Sequence, residues 1–423
     1  MEYDLLRGKK ILVLGGGSQH CKVVEAAKEL GVITYVTDNV ENATAKRMAD
    51  YSYLINVTET EQLAELCEKE KIDGIVSGWF DFVQPHYQRL CEKTGHFCYG
   101  TKEQFDILTR KKDFKDCCLK YGVGVPTRLT LDEIESEDLP FDVIVKPSNS
   151  RGSRGAAVCH TKSEVLAAVE NAKQASYDGQ YIIERYIEQK DAFCVSYQFV
   201  NGEAYLEQLS DAFFGDAEHG LDKVAVAYRS PSVRAEEYIR KENGRLINML
   251  KSIGVTEGPF VAQGFFTEDD VLYFDPGRRF AGGEYERAFK RTTGIDVPRA
   301  MIYFAITGKY PEQSDQFEKD SYLLDGKTAI RLQINVRSGL VKSDAGFDEI
   351  SEMSEVEYIA FYHAPGSEIS ATGNTHQRYA HIIVVAENAD KLKEAVKKIY
   401  SKIRVYDTND ENMIVSLLDL EKI

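Results

Sequence analysis

Residues 260–277 read FVAQGFFTEDDVLYFDPG, two apolar β-rich runs joined by the acidic turn TEDD. Runs this close in sequence are expected to pair as an antiparallel hairpin, which limits the surrounding fold to one with an antiparallel sheet. Each run carries one polar residue, Gln263 on the first strand and Asp275 at the end of the second, and antiparallel pairing brings the two together. A carbonyl oxygen and a carboxylate, completed by phosphate oxygens and water, suit Mg2+. Directly behind Asp275 stand two adjacent arginines, Arg278 and Arg279, in a chain with 52 Lys+Arg against 68 Asp+Glu and a formal net charge of -16. That balance disfavours nucleic acid or an anionic membrane as a partner, because either requires a net basic surface. A local cationic pocket for a small anion is compatible with it.

The first hundred residues alternate strand and helix signals: KKILVLGGG, a helix over about 18–30, VITYVTD, and later IDGIVSG followed by DFVQPHYQRLCEKTG. This pattern predicts a parallel sheet with helices on both faces. GGGSQH at 15–20 joins a strand to a helix, where an anion can bind. It departs from G-x-G-x-x-G at His20, so a structural turn competes with a dinucleotide site, even with Asp38 placed at the end of the second strand. These residues are expected to help form a substrate site without binding a dinucleotide.

The eight cysteines lie between Cys21 and Cys194 with no C-x-x-C spacing, as expected for reduced thiols. With MEYDLLRGKK lacking the pattern of a signal peptide and no run approaching the ~20 apolar residues of a membrane span, a cytoplasmic protein is expected.

From Gly100 the texture changes to helix (KEQFDILTRKKDFKDCCLKYG) and then to FDVIVKPSNSRGSRGAAVCHT, a strand ending near Lys146, a loop rich in serine and glycine, and a second strand. Backbone amides of such a loop can fold over phosphates, while a surface hairpin is the plain alternative. In GQYIIERYIEQKDAF a buried strand ends near Glu184. If that end meets an adenine, Glu184 and the following backbone groups can pair with its edge, and Asp191 can reach a ribose hydroxyl. The last ~110 residues form a third β-rich unit with an amphipathic helix at NADKLKEAVKKIYSKIRV, where the lysines read as a solvated face.

Together these pieces resemble the ATP-grasp superfamily, in its carbamoyl-phosphate synthetase large-chain and biotin carboxylase branch, over nearly the whole chain. The resemblance implies an α/β and α+β fold: a Rossmann-like pre-ATP-grasp domain (1–100), a two-lobed ATP-grasp core (101–314), and a small β-rich C-terminal domain of biotin-carboxylase type (315–423). It implies Lys111 and Lys146 as phosphate ligands, and Ser153, Arg154 and Gly155 as part of a mobile glycine-rich loop. Glu184 with the backbones of Arg185 and Ile187 would read adenine, and Asp191 would hold ribose. Gln263 and Asp275 match metal ligands, His219 a histidine that approaches the phosphates, and Arg279 the arginine of the pattern E-x-N-x-R. The chain departs from that pattern, with Asp275 for the Glu and Gly277 for the Asn, so one metal ligand is lost. Arg278 is expected to hold a substrate carboxylate or phosphate, the alternative being a surface salt bridge.

The function implied is an ATP- and Mg2+-dependent ligase that joins a small-molecule carboxylate to an amine or similar nucleophile through an acyl phosphate, with a homodimer allowed. Gly277 motivates one alternative, a nucleotide-binding protein without turnover. A bicarbonate-dependent carboxylase is another. A dinucleotide-dependent oxidoreductase leaves Lys146, Glu184 and Asp275 unexplained.

Overall fold

A computed structural model describes residues 2–136, 139, 141–148, 155–176, 178–188, 191–216 and 218–423. The N-terminal sheet contains β1 (Lys10–Leu14), β2 (Ile33–Thr37), β3 (Tyr51–Tyr53) and β4 (Gly74–Val76), all parallel in the order β3-β2-β1-β4. Its central strand KILVL is buried on both faces, as the continuous apolar run requires. The chain leaves β4 through the loop 77–80 and a short turn, Asp81–Val83, before the helix Gln84–Thr94. The long helical signal after Gly100 is two helices, Lys102–Thr109 and Lys111–Lys120. They are separated by Arg110 in an extended conformation (φ -104°, ψ 118°), which leaves Lys111 at the start of the second helix.

A small antiparallel sheet follows, built from β5 (Arg128–Leu129), β6 (Val143–Pro147), β7 (Ala157–Cys159) and β8 (Tyr181–Arg185) in the order β5-β8-β6-β7. Val143, Val145 and Ile183 pack with Val165 and Val169 of the helix Lys162–Ala175. Side chains alternate across a strand, so Glu184 points away from that core.

The third sheet carries the hairpin. Its strands are β9 (Ala192–Val200), β10 (Glu203–Phe214), β11 (Ala225–Ser230), β12 (Gly258–Phe266), β13 (Val271–Gly277) and β14 (Thr328–Val336). The remaining strands are β15 (Gly339–Ala345), β16 (Val356–Phe361), β17 (Glu368–Ile369), β18 (Arg378–Ala386), β19 (Arg404–Asp407) and β20 (Ile414–Val415). The order β13-β12-β9-β10-β11-β14-β18-β16 makes one sheet, with β20 on β14, while β15, β17 and β19 form a separate three-stranded sheet. The expected antiparallel hairpin is present, and Gln263 is the cross-strand partner of Asp275. The sheet is unbroken between the core and the C-terminal region: Ala227–Ser230 of β11 pair with Ala329–Leu332 of β14. Among the described residues no helix is long and apolar enough to cross a membrane.

Candidate active site

Strands of the central sheet and the segment that follows β4 of the parallel sheet line a pocket of about 550 Å³. Lys111, Gln263, Asp275 and Arg279 all line it. Lys111 Nζ lies 2.7 Å from Asp275 Oδ1. Burial alone would lower the Lys111 ammonium, but the Asp275 carboxylate outweighs that cost and holds it above its ordinary value. Burial would likewise raise the Asp275 carboxyl, and the Lys111 ammonium beside it keeps it low. Arg279 Nε pairs with Asp81 Oδ2 at 2.8 Å, a residue supplied by the turn after β4.

Lys146 Nζ stands 2.7 Å from Glu184 Oε2, and Lys115 Nζ binds the other oxygen of the same carboxylate. Glu184 and Lys115 are fully buried. Burial opposes the Glu184 charge, yet Lys146 and Lys115 bring its carboxyl down to about 2. For Lys115 burial dominates, with the neighbouring Lys146 charge adding to it, and its ammonium is pushed down to about 7. The Glu184 side chain thus clamps two lysines, a role that the sequence did not suggest. Lys146 sits over the Phe274 ring at 5.7 Å, and Phe274 stacks on Phe265.

The opposite wall of the pocket comes from β14 and β18, which contribute Arg331, Gln333, Arg378 and His381. Arg331 lies over the Tyr228 ring at 4.2 Å and donates to the Gly282 carbonyl. This approach favours glycine next door, since a Cβ on Gly283, whose φ is +88°, would run into the Arg331 guanidinium. Arg378 lies over Tyr362 at 5.6 Å. Among the described residues neither arginine has an ion-pair partner, and the Nε of each is buried without an acceptor. His381 is kept neutral, chiefly by burial and then by the two arginine charges. Its Nδ1 meets the Tyr362 hydroxyl at 2.9 Å.

Other expected site residues fall elsewhere. Arg278 is corrected outright: it is completely buried, donating to the backbone carbonyls of Tyr99, Glu257 and Pro259 with its plane over the Tyr99 ring. Completely buried behind these carbonyls and outside the pocket lining, its guanidinium does not face a substrate, and it is no surface salt bridge either. His219 lies exposed in a turn, paired to Asp216 at 2.7 Å, and does not line the pocket. Asp191 is exposed, 3.7 Å from Arg234, and lines a neighbouring depression with Tyr186 and Phe266. Arg185 is exposed over the Phe141 ring, and Ile187 packs near Ala192 and Phe265. Gly155 is seated against Pro147 and Ala175, whereas Ser153 and Arg154 lie outside the described residues.

Asp81, Lys115, Arg331 and Arg378 were not singled out by the sequence. The signal that found Gln263, a polar residue inside an apolar strand, is also present in TAIRLQINV and RYAHIIVVA, where it marks Arg331, Gln333, Arg378 and His381. Asp81 follows the C-terminal end of a parallel strand, where open α/β sheets bind ligands.

Three family models match separate stretches of the chain. They are the PylC-like N-terminal domain over residues 11–97, the carbamoyl-phosphate synthase L chain ATP binding domain over 127–200, and the L-amino acid ligase C-terminal domain 2 over 334–407. The formate-dependent phosphoribosylglycinamide formyltransferase of Wolinella succinogenes is 29% identical over 186 residues, covering 42% of this chain and 48% of that protein. The 2-oxoglutarate carboxylase small subunit of Hydrogenobacter thermophilus is 29% identical over 201 residues, 43% of each chain. The chain thus spans about half the length of the curated relatives it matches. Among solved structures, an L-amino acid ligase from Bacillus licheniformis superposes with a TM-score of 0.78 at 16% identity, covering 95% of this chain and all of that one. The carbamoyl-phosphate synthase ATP-binding domain model thus matches the middle of the chain, and the chain shares the fold of the L-amino acid ligase over 95% of its length.

Proposed function

We propose that the protein is an ATP- and Mg2+-dependent ligase that activates a small-molecule carboxylate as an acyl phosphate and passes it to an amine. The observation that carries this reading is the pocket's division of charge: Lys111, Asp275 and Gln263 on one wall, and two arginines without acidic partners among the described residues on the other. The donor set fits Mg2+, since a carboxylate and an amide carbonyl offer the hard oxygens it prefers, side by side on β13 and β12. Mg2+ bound there would supply charge neutralisation between phosphate oxygens as the phosphoryl group moves.

Lys111 and Lys146 would meet phosphates in this reading, and each is held by a carboxylate, Asp275 or Glu184, that fixes the ammonium before ligand arrives. Arg279, held by Asp81, offers positive charge where the transferred phosphoryl group passes. Arg331 and Arg378 orient an anionic group of the substrate toward that point. A carboxylate oxygen bonds to the γ-phosphorus as the bond to ADP breaks. The amine lone pair then attacks the acyl carbon, phosphate leaves, and the amine proton passes to solvent.

The test is a screen for ADP release over paired carboxylic acids and amines, with and without bicarbonate. ADP release that needs both an acid and an amine is expected. ADP release driven by bicarbonate alone would move the protein to carboxylation, and none with any pair, despite nucleotide binding, would make it a binding protein without turnover.

A further inference from the structure

Positions 275 and 277 share one face of β13, so a side chain at 277 would stand beside the Asp275 carboxylate. Gly277 provides none, and its backbone does not explain the glycine, because its φ lies outside the left-handed region. The space is taken instead. A Cβ at 277 would meet Asp81 Oδ1 at 2.9 Å, Val261 Cγ1 at 3.0 Å and Arg279 Nε at 3.2 Å. Asp81 reaches this point from the other domain, from the turn that follows β4. Its Oδ2 is held by Arg279, whereas its Oδ1 is buried with no hydrogen-bond partner.

A buried carboxylate oxygen without a donor costs free energy unless a cation completes it. Among the described residues no side chain does so for Oδ1, although Lys111 and Arg279 each lie within electrostatic range of both Asp81 and Asp275. The two carboxylates therefore share one pair of cations. We propose that Asp81 is a ligand of the same divalent metal as Asp275 and Gln263, its carboxylate delivered across the domain junction into the room that glycine at 277 leaves open. This rests on the Mg2+-nucleotide reading given above. The metal site is then complete only when the N-terminal domain is docked on the hairpin, and the absent side chain at 277 is no loss of a ligand.

The experiment uses the full chain, Mn2+ as the paramagnetic probe and a non-hydrolysable ATP analogue, with Mn2+ affinity read by electron spin resonance and water-proton relaxation. Asp81→Asn should weaken Mn2+ binding in the analogue complex by about tenfold or more, the scale on which metal-site partners act, while metal-free analogue binds as before. Arg279→Gln should leave Mn2+ affinity in place. A second arm moves the carboxylate: Asp81→Ala combined with Gly277→Asp should bind Mn2+ as the unaltered chain does, and it carries the test if Asp81→Asn does not fold. Equal Mn2+ affinity in the unaltered chain and Asp81→Asn overturns the proposal. So does a loss in Arg279→Gln that matches the loss in Asp81→Asn, which would make Asp81 a positioning residue for the arginine. Failure of the unaltered chain to bind Mn2+ with the analogue at all would sink the functional reading itself.

Discussion

The two charged walls of the pocket are balanced differently. On the hairpin side each cation that lines the pocket has a carboxylate beside it: Lys111 has Asp275 and Arg279 has Asp81. On the C-terminal side Arg331 and Arg378 have aromatic rings and no acid among the described residues. An ion pair without ligand is already neutral, and it can take up a metal and a phosphate together with little net change in charge. An unpaired, half-buried guanidinium is partly desolvated, a cost that an arriving anion relieves. The first wall suits an ion pair as ligand, such as a metal with its nucleotide, and the second suits a lone anion.

The most damaging way to break this comparison is at Asp275. Asp275→Asn should remove the metal's carboxylate and free Lys111, lowering kcat by on the order of 10²- to 10³-fold in steady-state ADP release. Retained turnover would mean that the paired wall is only structural.

Arg278 offers the sharpest contrast with the unpaired arginines, because it is completely buried and bonds three backbone carbonyls. Arg278→Met should destabilise the fold by about 2–4 kcal/mol in denaturant titrations, from carbonyls left without donors, whereas Arg378→Met should leave stability unchanged or raise it. Equal losses would erase the distinction.

If the second wall receives an anionic substrate group, Arg331→Ala should raise the substrate KM by roughly 10- to 100-fold with a smaller effect on kcat. A drop in kcat alone would place Arg331 at the reacting phosphoryl group instead.

A buried acid away from both walls supplies the smallest effect. Burial, with Glu286 nearby, pushes the Glu207 carboxyl up to about 8, and one of its oxygens has no partner. Between about 4.5 and 8 the folded chain holds a proton there that the unfolded chain releases, so this residue's contribution to stability falls as pH rises through that window and is level above it. Glu207→Gln should therefore raise the melting temperature above pH ~8.5, by roughly 1–3 kcal/mol of stability, and have little effect near pH ~4.5. The opposite pH trend would show that Glu207 is ionised and paired.

Local patterning carried the hairpin because its turn is short and its strands are neighbours, so Gln263 and Asp275 could be set opposite each other from sequence. The break at Arg110 was not legible: the helical pattern runs through 102–120, and the interruption comes from one extended residue. The inward turn of Arg278 was not legible for a related reason. Alternation along β13 ends at Gly277, and beyond the strand only the packing of Tyr99 and Pro259 decides which arginine turns inward. Glu184 was rightly placed at a strand end, but its partner Lys115 lies 69 residues earlier, a pairing that no local pattern encodes. Arg331 and Arg378 belong to a unit that reads as separate, and they reach the pocket only because the sheet continues through it.

That continuity fixes a length. Between the hairpin and the arginines lie β9, β10 and β11, each hydrogen-bonded to the next, with strand centres about 4.8 Å apart. Moving Arg331 away from Asp275 would mean tearing a ladder, so the sheet works as a caliper whose jaws are set at synthesis. A carboxylate too short to touch both jaws at once would bind at one and miss the phosphoryl group at the other, and selection by molecular length is then a property of the backbone before any side chain is consulted.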